Sequence, residues 1–156
     1  MNESLIIVPC GKAKIWSKVN TSSSFPAKNA YIGTPFVVNR KYAEAKGKRW
    51  VILSAKYGYI DPDTMIRDYD ETFKDPTPST ITVETLKKQI ADKQLERYTH
   101  VIGLGGKEYR AMIQKSFAGT SCRLEFPFAD FSLFDYVHAV KSATTGSKND
   151  DSIIII

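Results

Sequence analysis

Cysteine is nearly absent. The two residues present, Cys10 and Cys122, lie far apart, with no CxxC pair and no companion histidine at ligand spacing. Neither a disulfide framework nor a zinc site is indicated, and a reducing cytoplasm is the expected setting. No apolar run approaches the roughly 20 residues that cross a bilayer, so no membrane partner is expected. The N-terminal residues lack the charged, apolar and small-residue succession of a signal peptide. There is no Walker motif, no HExxH, no GxSxG and no internal repeat. Those absences leave no basis for reading a P-loop nucleotidase, a zinc protease or an α/β-hydrolase, and neither a metal nor a cofactor is expected.

What is present describes one ordinary domain. The 156 residues are 42% hydrophobic and 12% aromatic, enough for a real core. The net charge of +5 and pI near 9.1 favour an acidic partner, nucleic acid above all. Four short apolar runs read as strands at 5–8, 50–53, 101–104 and 123–126. Between them, helical spacing covers 35–46, with Thr34 as cap and Gly47 as stop, then 82–97, 107–117 and 130–141, the last capped by Asp130. The alternation predicts a three-layer α/β/α sandwich around a central, mainly parallel four-stranded sheet. Residues 1–142 form the single domain in this reading. Residues 143–156, polar and then four isoleucines, are expected to be a disordered tail.

In such sheets ligands bind at the carboxyl ends of the strands. Three loops meet there. The first carries Cys10, Gly11, Lys12, Lys14 and Trp16 after Pro9 ends the strand. The second carries Ser54, Lys56, Tyr57 and Gly58. The third carries Gly105 and Gly106 ahead of Lys107, where free backbone N–H groups would suit a phosphate. No one of these loops is specific alone. Their convergence is the argument for a site.

The ordered blocks Val8-Pro9-Cys10-Gly11-Lys12-Ala13-Lys14-Ile15-Trp16, Ala30-Tyr31-Ile32-Gly33-Thr34-Pro35-Phe36, Trp50 through Pro62, and Tyr69-Asp70-Glu71-Thr72 resemble the DUF6884 family of small bacterial and phage proteins. Gly105-Gly106-Lys107-Glu108-Tyr109 is a weaker fifth block. The Pro9, Cys10 and Lys14 pattern is also similar to the catalytic core of archaeosine synthase, with Ile15-Trp16 where that enzyme has Pro-Tyr. The family further resembles the YaaA proteins and, at the level of fold, the uracil-DNA glycosylase superfamily. The resemblance implies a uracil-DNA glycosylase-like sandwich handling a nucleobase in DNA, or in RNA; a monomer is expected.

Breaking a base from its sugar passes through an oxocarbenium-like state. It calls for a carboxylate near the sugar, a donor for the departing base and an aromatic surface. Asp70, in the Tyr-Asp-x-Thr block, is the first choice of carboxylate and Asp61 the second. Lys14 and Lys56 are the candidate donors or phosphate holders, joined by Lys12 and Lys107. Trp16, Tyr57 and Phe128 are the candidate stacking rings, with Phe128 reading rather as core, and Tyr69 is a further base-binding candidate. The leading function is a DNA glycosylase excising a modified base, a hypermodified phage base being one candidate, in defence or repair. The alternatives are a non-catalytic nucleic-acid or nucleotide binder and an enzyme modifying a deazaguanine base.

Overall fold

The run Leu5, Ile6, Ile7 and Val8 forms the middle of a five-stranded sheet, and all four side chains are fully buried. A computed structural model describes residues 4–47 and 49–155. In chain order the elements are β1 (Ser4–Pro9), β2 (Phe25–Pro26), α1 (Ala27–Ala30), α2 (Thr34–Lys46), β3 (Arg49–Ser54), β4 (Gly58–Ile60) and β5 (Met65–Ile66). After them come α3 (Val83–Asp92), β6 (His100–Gly103), α4 (Lys107–Ser116), β7 (Arg123–Glu125) and α5 (Leu133–Ile155). Short 3-10 turns occupy Ile15–Ser17 and Leu95–Arg97.

The sheet order is β4-β3-β1-β6-β7. β1 runs parallel to both β3 and β6, with Val8 opposite Ile52 and Leu5 opposite Val101, and β7 continues parallel to β6. The expected four parallel strands are therefore present, and the count is corrected to five by β4, which folds back antiparallel on β3. A two-stranded ribbon of β2 and β5 lies apart from the main sheet. Alternation along the strands sends residues to opposite faces. Ile6, Val8 and Ile52 join Phe36 and Tyr42 of α2 and Val140 of α5. Leu5, Ile7, Val51 and Val101 join Leu86 and Ile90 of α3 and Ile113 of α4. A central strand buried on both faces has no polar side chain to spare, which is why β1 reads as unbroken apolar sequence.

Helix ends depart from expectation where side chains compete for the cap. Gly33 stands at the cap of α2, Thr34 is its first residue, and the Gly47 N–H closes on the Ala43 carbonyl. The helix expected over 82–97 starts as foreseen, with the Thr82 hydroxyl accepting from the Thr85 N–H. It breaks at Gln94, a left-handed residue with φ of 57°. The last helix is not capped by Asp130. Ser132 Oγ accepts the Asp135 N–H at 3.2 Å, so α5 begins at Leu133. Its end also differs. The helix passes Lys141 and runs through Ile155, across the stretch read as a disordered tail, with the Thr144 and Thr145 hydroxyls donating to the Val140 and Lys141 carbonyls. Residue 156 and the side chains from Gly146 onward lie outside the described ones. No helix among the described residues is long and apolar enough to cross a membrane.

Ile52 is fully buried between Val8 and Ile60 in the sheet register. Ile52→Ala is expected to cost about 2–5 kcal/mol in chemical denaturation, the range for an unrelieved core cavity. A loss under about 0.5 kcal/mol, the scale of a surface change, would mean that the centre of the sheet is not packed as described.

Candidate functional site

The sheet's carboxyl edge is stitched together before any ligand is considered. The Cys10 N–H donates to the Leu53 carbonyl and the Leu104 N–H to the Ile7 carbonyl, both at 3.0 Å, so the loops after β1 and β6 leave as extensions of the ladder. Tyr109, from α4, donates its hydroxyl to the Cys10 carbonyl at 3.0 Å and lies 3.2 Å from the Cys10 Sγ. Ser54 is a hub at the end of β3. Its hydroxyl accepts the N–H groups of Lys56 and Tyr57 and donates to Tyr69 Oη at 3.0 Å. Tyr69 is in turn hydrogen-bonded to the Tyr31 hydroxyl.

These phenols are held neutral. Burial is the main cause that pushes Tyr69 far above the ordinary tyrosine value, with the Cys10 thiol and Tyr31 adding to it. Tyr31 and Tyr109 are raised by burial first and by Cys10 second. A phenolate in this nest would face neighbours that can themselves become anionic, in a setting that solvates charge poorly.

Two depressions flank the Cys10–Lys12 loop. One is a charged cleft of about 550 Å³ shared by Cys10, Gly11, Lys12, Lys14, Tyr69 and Asp70. Lys14 Nζ sits 4.6 Å from the centroid of the Tyr69 ring, a cation–π contact that fixes the ammonium at the cleft wall. Asp70 is exposed beside it. Glu71, Asp75 and Glu108 also line the cleft, so its charge is mixed, not uniformly basic. A smaller recess of about 240 Å³ continues past Lys14 and Asp70 to Trp16. The Trp16 indole N–H donates to the Ser23 carbonyl at 2.8 Å and its ring meets Phe25 edge-on. Tyr57 stands edge-on to Tyr69 at 5.5 Å, with Lys56 exposed over the Tyr57 ring.

The second depression is a largely apolar chamber of about 480 Å³ between the starts of α2, α4 and α5. Phe36, Phe128, Phe131 and Tyr136 form its aromatic wall, and Gly105, Gly106 and Arg110 also line it. Phe128, read from sequence as core, is both buried and part of this wall.

Six expected site residues have other placements, Lys56 and Tyr57 among them because neither lines either depression. Asp61 lies at the amino end of β3, paired with Arg49 at 2.9 Å and Lys93 at 3.6 Å, away from the cleft. Its two cationic neighbours explain a carboxylate there without any ligand. Gly58 has φ of +78° and no room for a side chain against Gln89, which accepts the Tyr59 N–H and donates to the Tyr57 carbonyl. It is a residue of the turn into β4. Gly105 has φ of +106° and spends its N–H on the Tyr136 hydroxyl at 3.1 Å, so that donor is not offered to a phosphate. Lys107 is exposed at the start of α4 and lines neither depression. Ser54 was placed in a site loop without a role, and Tyr31, Tyr109, Asn39, Arg110 and Tyr136 were not foreseen as site residues. Tyr31 and Tyr109 each lie in a block that carries the family resemblance, which was the available signal. Asn39 and Tyr136 meet across 97 positions of chain, Tyr136 donating to Asn39 Oδ1 at 2.8 Å, and no local pattern announces that. Among the described residues no group of three or more His, Cys, Asp or Glu side chains could hold a metal ion.

The chain matches the family of unknown function DUF6884 over residues 5–139, and it belongs to that family. It is similar to the uncharacterized protein YfjM of Bacillus subtilis (strain 168), with 31% identity over 134 residues that cover 85% of this chain and 89% of that protein. No solved structure matches.

A pH dependence follows from the phenols. Tyr31, Tyr69, Tyr109 and the fully buried Tyr59 bind their protons more tightly folded than unfolded. Their contribution to stability is complete below the unfolded tyrosine value of about 10 and declines as pH rises above it. Urea titrations are expected to give a stability that falls above about pH 10, with part of the tyrosinate absorbance appearing only on unfolding. Full tyrosine ionisation in the folded protein near pH 10 would contradict the buried network.

Proposed function

We propose that this DUF6884 member is a DNA glycosylase that excises a modified base by hydrolysing its N-glycosidic bond, built on a three-layer sandwich of the uracil-DNA glycosylase kind. The observation that carries this reading is the sharing of one cleft by Asp70, Lys14 and the Tyr69 ring at the carboxyl edge of the parallel strands. In the reaction water adds its oxygen to the anomeric carbon as the carbon–nitrogen bond breaks. The Asp70 carboxylate faces the cationic sugar and accepts the water proton. The Lys14 ammonium donates to the departing base nitrogen, so the base leaves without a full negative charge. Tyr69, kept neutral by burial, places the ammonium without competing for its proton. Lys12 and Lys14 supply cations for the phosphate backbone at the cleft rim.

The exposed setting of Asp70 and the mixed charge of the cleft also fit a nucleic-acid binder without chemistry. The two readings separate in one assay. Protein incubated with genomic DNA from hosts, and from phages that carry modified bases, is expected to release a free base detectable by mass spectrometry. Tight binding with no released base would support the binder and overturn the glycosylase.

Asp70→Asn keeps side-chain volume and removes the charge. It is expected to leave DNA binding largely intact and to lower turnover by orders of magnitude, as does the loss of a transition-state interaction. Lys14→Ala should weaken both, and borohydride should trap no covalent adduct with either protein. Full activity in Asp70→Asn would remove Asp70 from the mechanism. Lys12→Ala should lower the slope of log affinity against log salt by about one. An unchanged slope would place the phosphate contacts elsewhere.

A further inference from the structure

We propose that the apolar chamber beside the Cys10–Lys12 loop seats the base itself, and that it selects a guanine-type edge through Arg110. This rests on the nucleobase reading above and names the substrate class for it. The volume of about 480 Å³ lies within the range of small-molecule sites, and the wall is mostly ring and aliphatic carbon. Flat apolar faces fit the two faces of a heterocycle and reject a hydrated phosphate, which leaves the sugar and backbone for the charged cleft. Cys10, Gly11, Lys12 and Tyr109 line both spaces, so one nucleotide can occupy the two at once.

The polar content is directional. Arg110 Nη1 donates to the Gly105 carbonyl at 3.0 Å, and the guanidinium has no other hydrogen-bond or ion-pair partner among the described residues. A guanidinium fork tethered at one corner and otherwise free matches a base edge with two adjacent acceptors. Guanine offers such a pair in O6 and N7, whereas adenine places a donor next to its acceptor. Tyr136 donates to Asn39 Oδ1 and accepts the Gly105 N–H, so neither of those oxygens competes for the fork.

The glycines add an independent observation. Gly105 is required by its backbone, as is any residue at φ of +106° that would meet Pro9 at 2.8 Å. Gly106 is under no such constraint. Its φ of −79° and ψ of −175° suit any residue, and an added Cβ would approach nothing closer than Glu108 Oε1 at 3.9 Å. As the cap of α4, Gly106 suits the fold, but serine, threonine, asparagine or aspartate would cap it at least as well, so the helix does not demand glycine. Keeping the chamber mouth open does.

The test is equilibrium binding of guanosine and adenosine to the full chain, read by amide chemical shifts, with wild type, Arg110→Gln and Gly106→Thr. Threonine caps a helix about as well as glycine, so Gly106→Thr is expected to fold normally, checked by circular dichroism and melting. Wild type should bind guanosine saturably and at least tenfold more tightly than adenosine. Arg110→Gln should erase that preference, and Gly106→Thr should weaken guanosine at least tenfold. Single-stranded oligonucleotides with and without one guanine show whether the base is taken free or from a polymer. No saturable guanosine binding, equal binding of the two nucleosides, or full affinity in folded Gly106→Thr would overturn the assignment. Guanosine binding without base release from DNA would sink the glycosylase reading alone. Base release without guanosine binding would sink the chamber alone.

Discussion

A short chain of buried hydroxyls holds this edge of the protein in shape. Ser54 donates to Tyr69, and Tyr69 shares a hydrogen bond with Tyr31. Ser54 ends β3, Tyr31 follows α1, and Tyr69 comes from the irregular segment between β5 and α3. That segment has little regular structure to position it, so Tyr69 acts as its anchor. A buried hydroxyl left without its partner costs about 1–3 kcal/mol, so each member depends on the other two. Lys14 rests on the Tyr69 ring, and Asp70 follows in the chain. The placement of both charged groups in the cleft is thus a consequence of the phenol network.

The loop after β1 acts as a partition. On one side lie ammonium and carboxylate groups in a charged cleft, and on the other a chamber walled by Phe36, Phe128, Phe131 and Tyr136. Tyr109 bonds both the carbonyl and the thiol of Cys10 and so fixes the partition from α4. Cys10 is therefore tied into structure at the point where the two spaces meet. An amphipathic ligand has one polar and one apolar part to place, and this arrangement separates them over a single loop.

The architecture was legible where periodicity alone decides it. β1, β3 and β6 are continuous apolar runs, and Thr34-Pro35 and Gly47 bracket α2 within a residue. β4 was missed because Gly58, Tyr59 and Ile60 are too few to show alternation. Its direction is set by the left-handed turn at Gly58 and by Gln89, which arrives from α3. The start of α5 was misplaced because Asp130 and Ser132 are both good caps, and only the Asp135 N–H decides between them. At the site, Lys14, Tyr69 and Asp70 came from local blocks of sequence. Asp61 ranked second to Asp70 in sequence, and what removes it is that Arg49 and Lys93 reach it in three dimensions. The chamber was invisible for the same reason, since its walls come from α2, α4 and α5 together.

The central claim is that nucleic acid engages the carboxyl edge of the sheet around the β1 loop. An amide proton–nitrogen spectrum recorded while a single-stranded oligonucleotide is added tests it most directly. The account predicts shifts concentrated at residues 10–14, 69–75 and 105–110, diminishing as salt is raised. Shifts confined to α3 or to the outer strands β4 and β7, with the β1 loop silent, would contradict it.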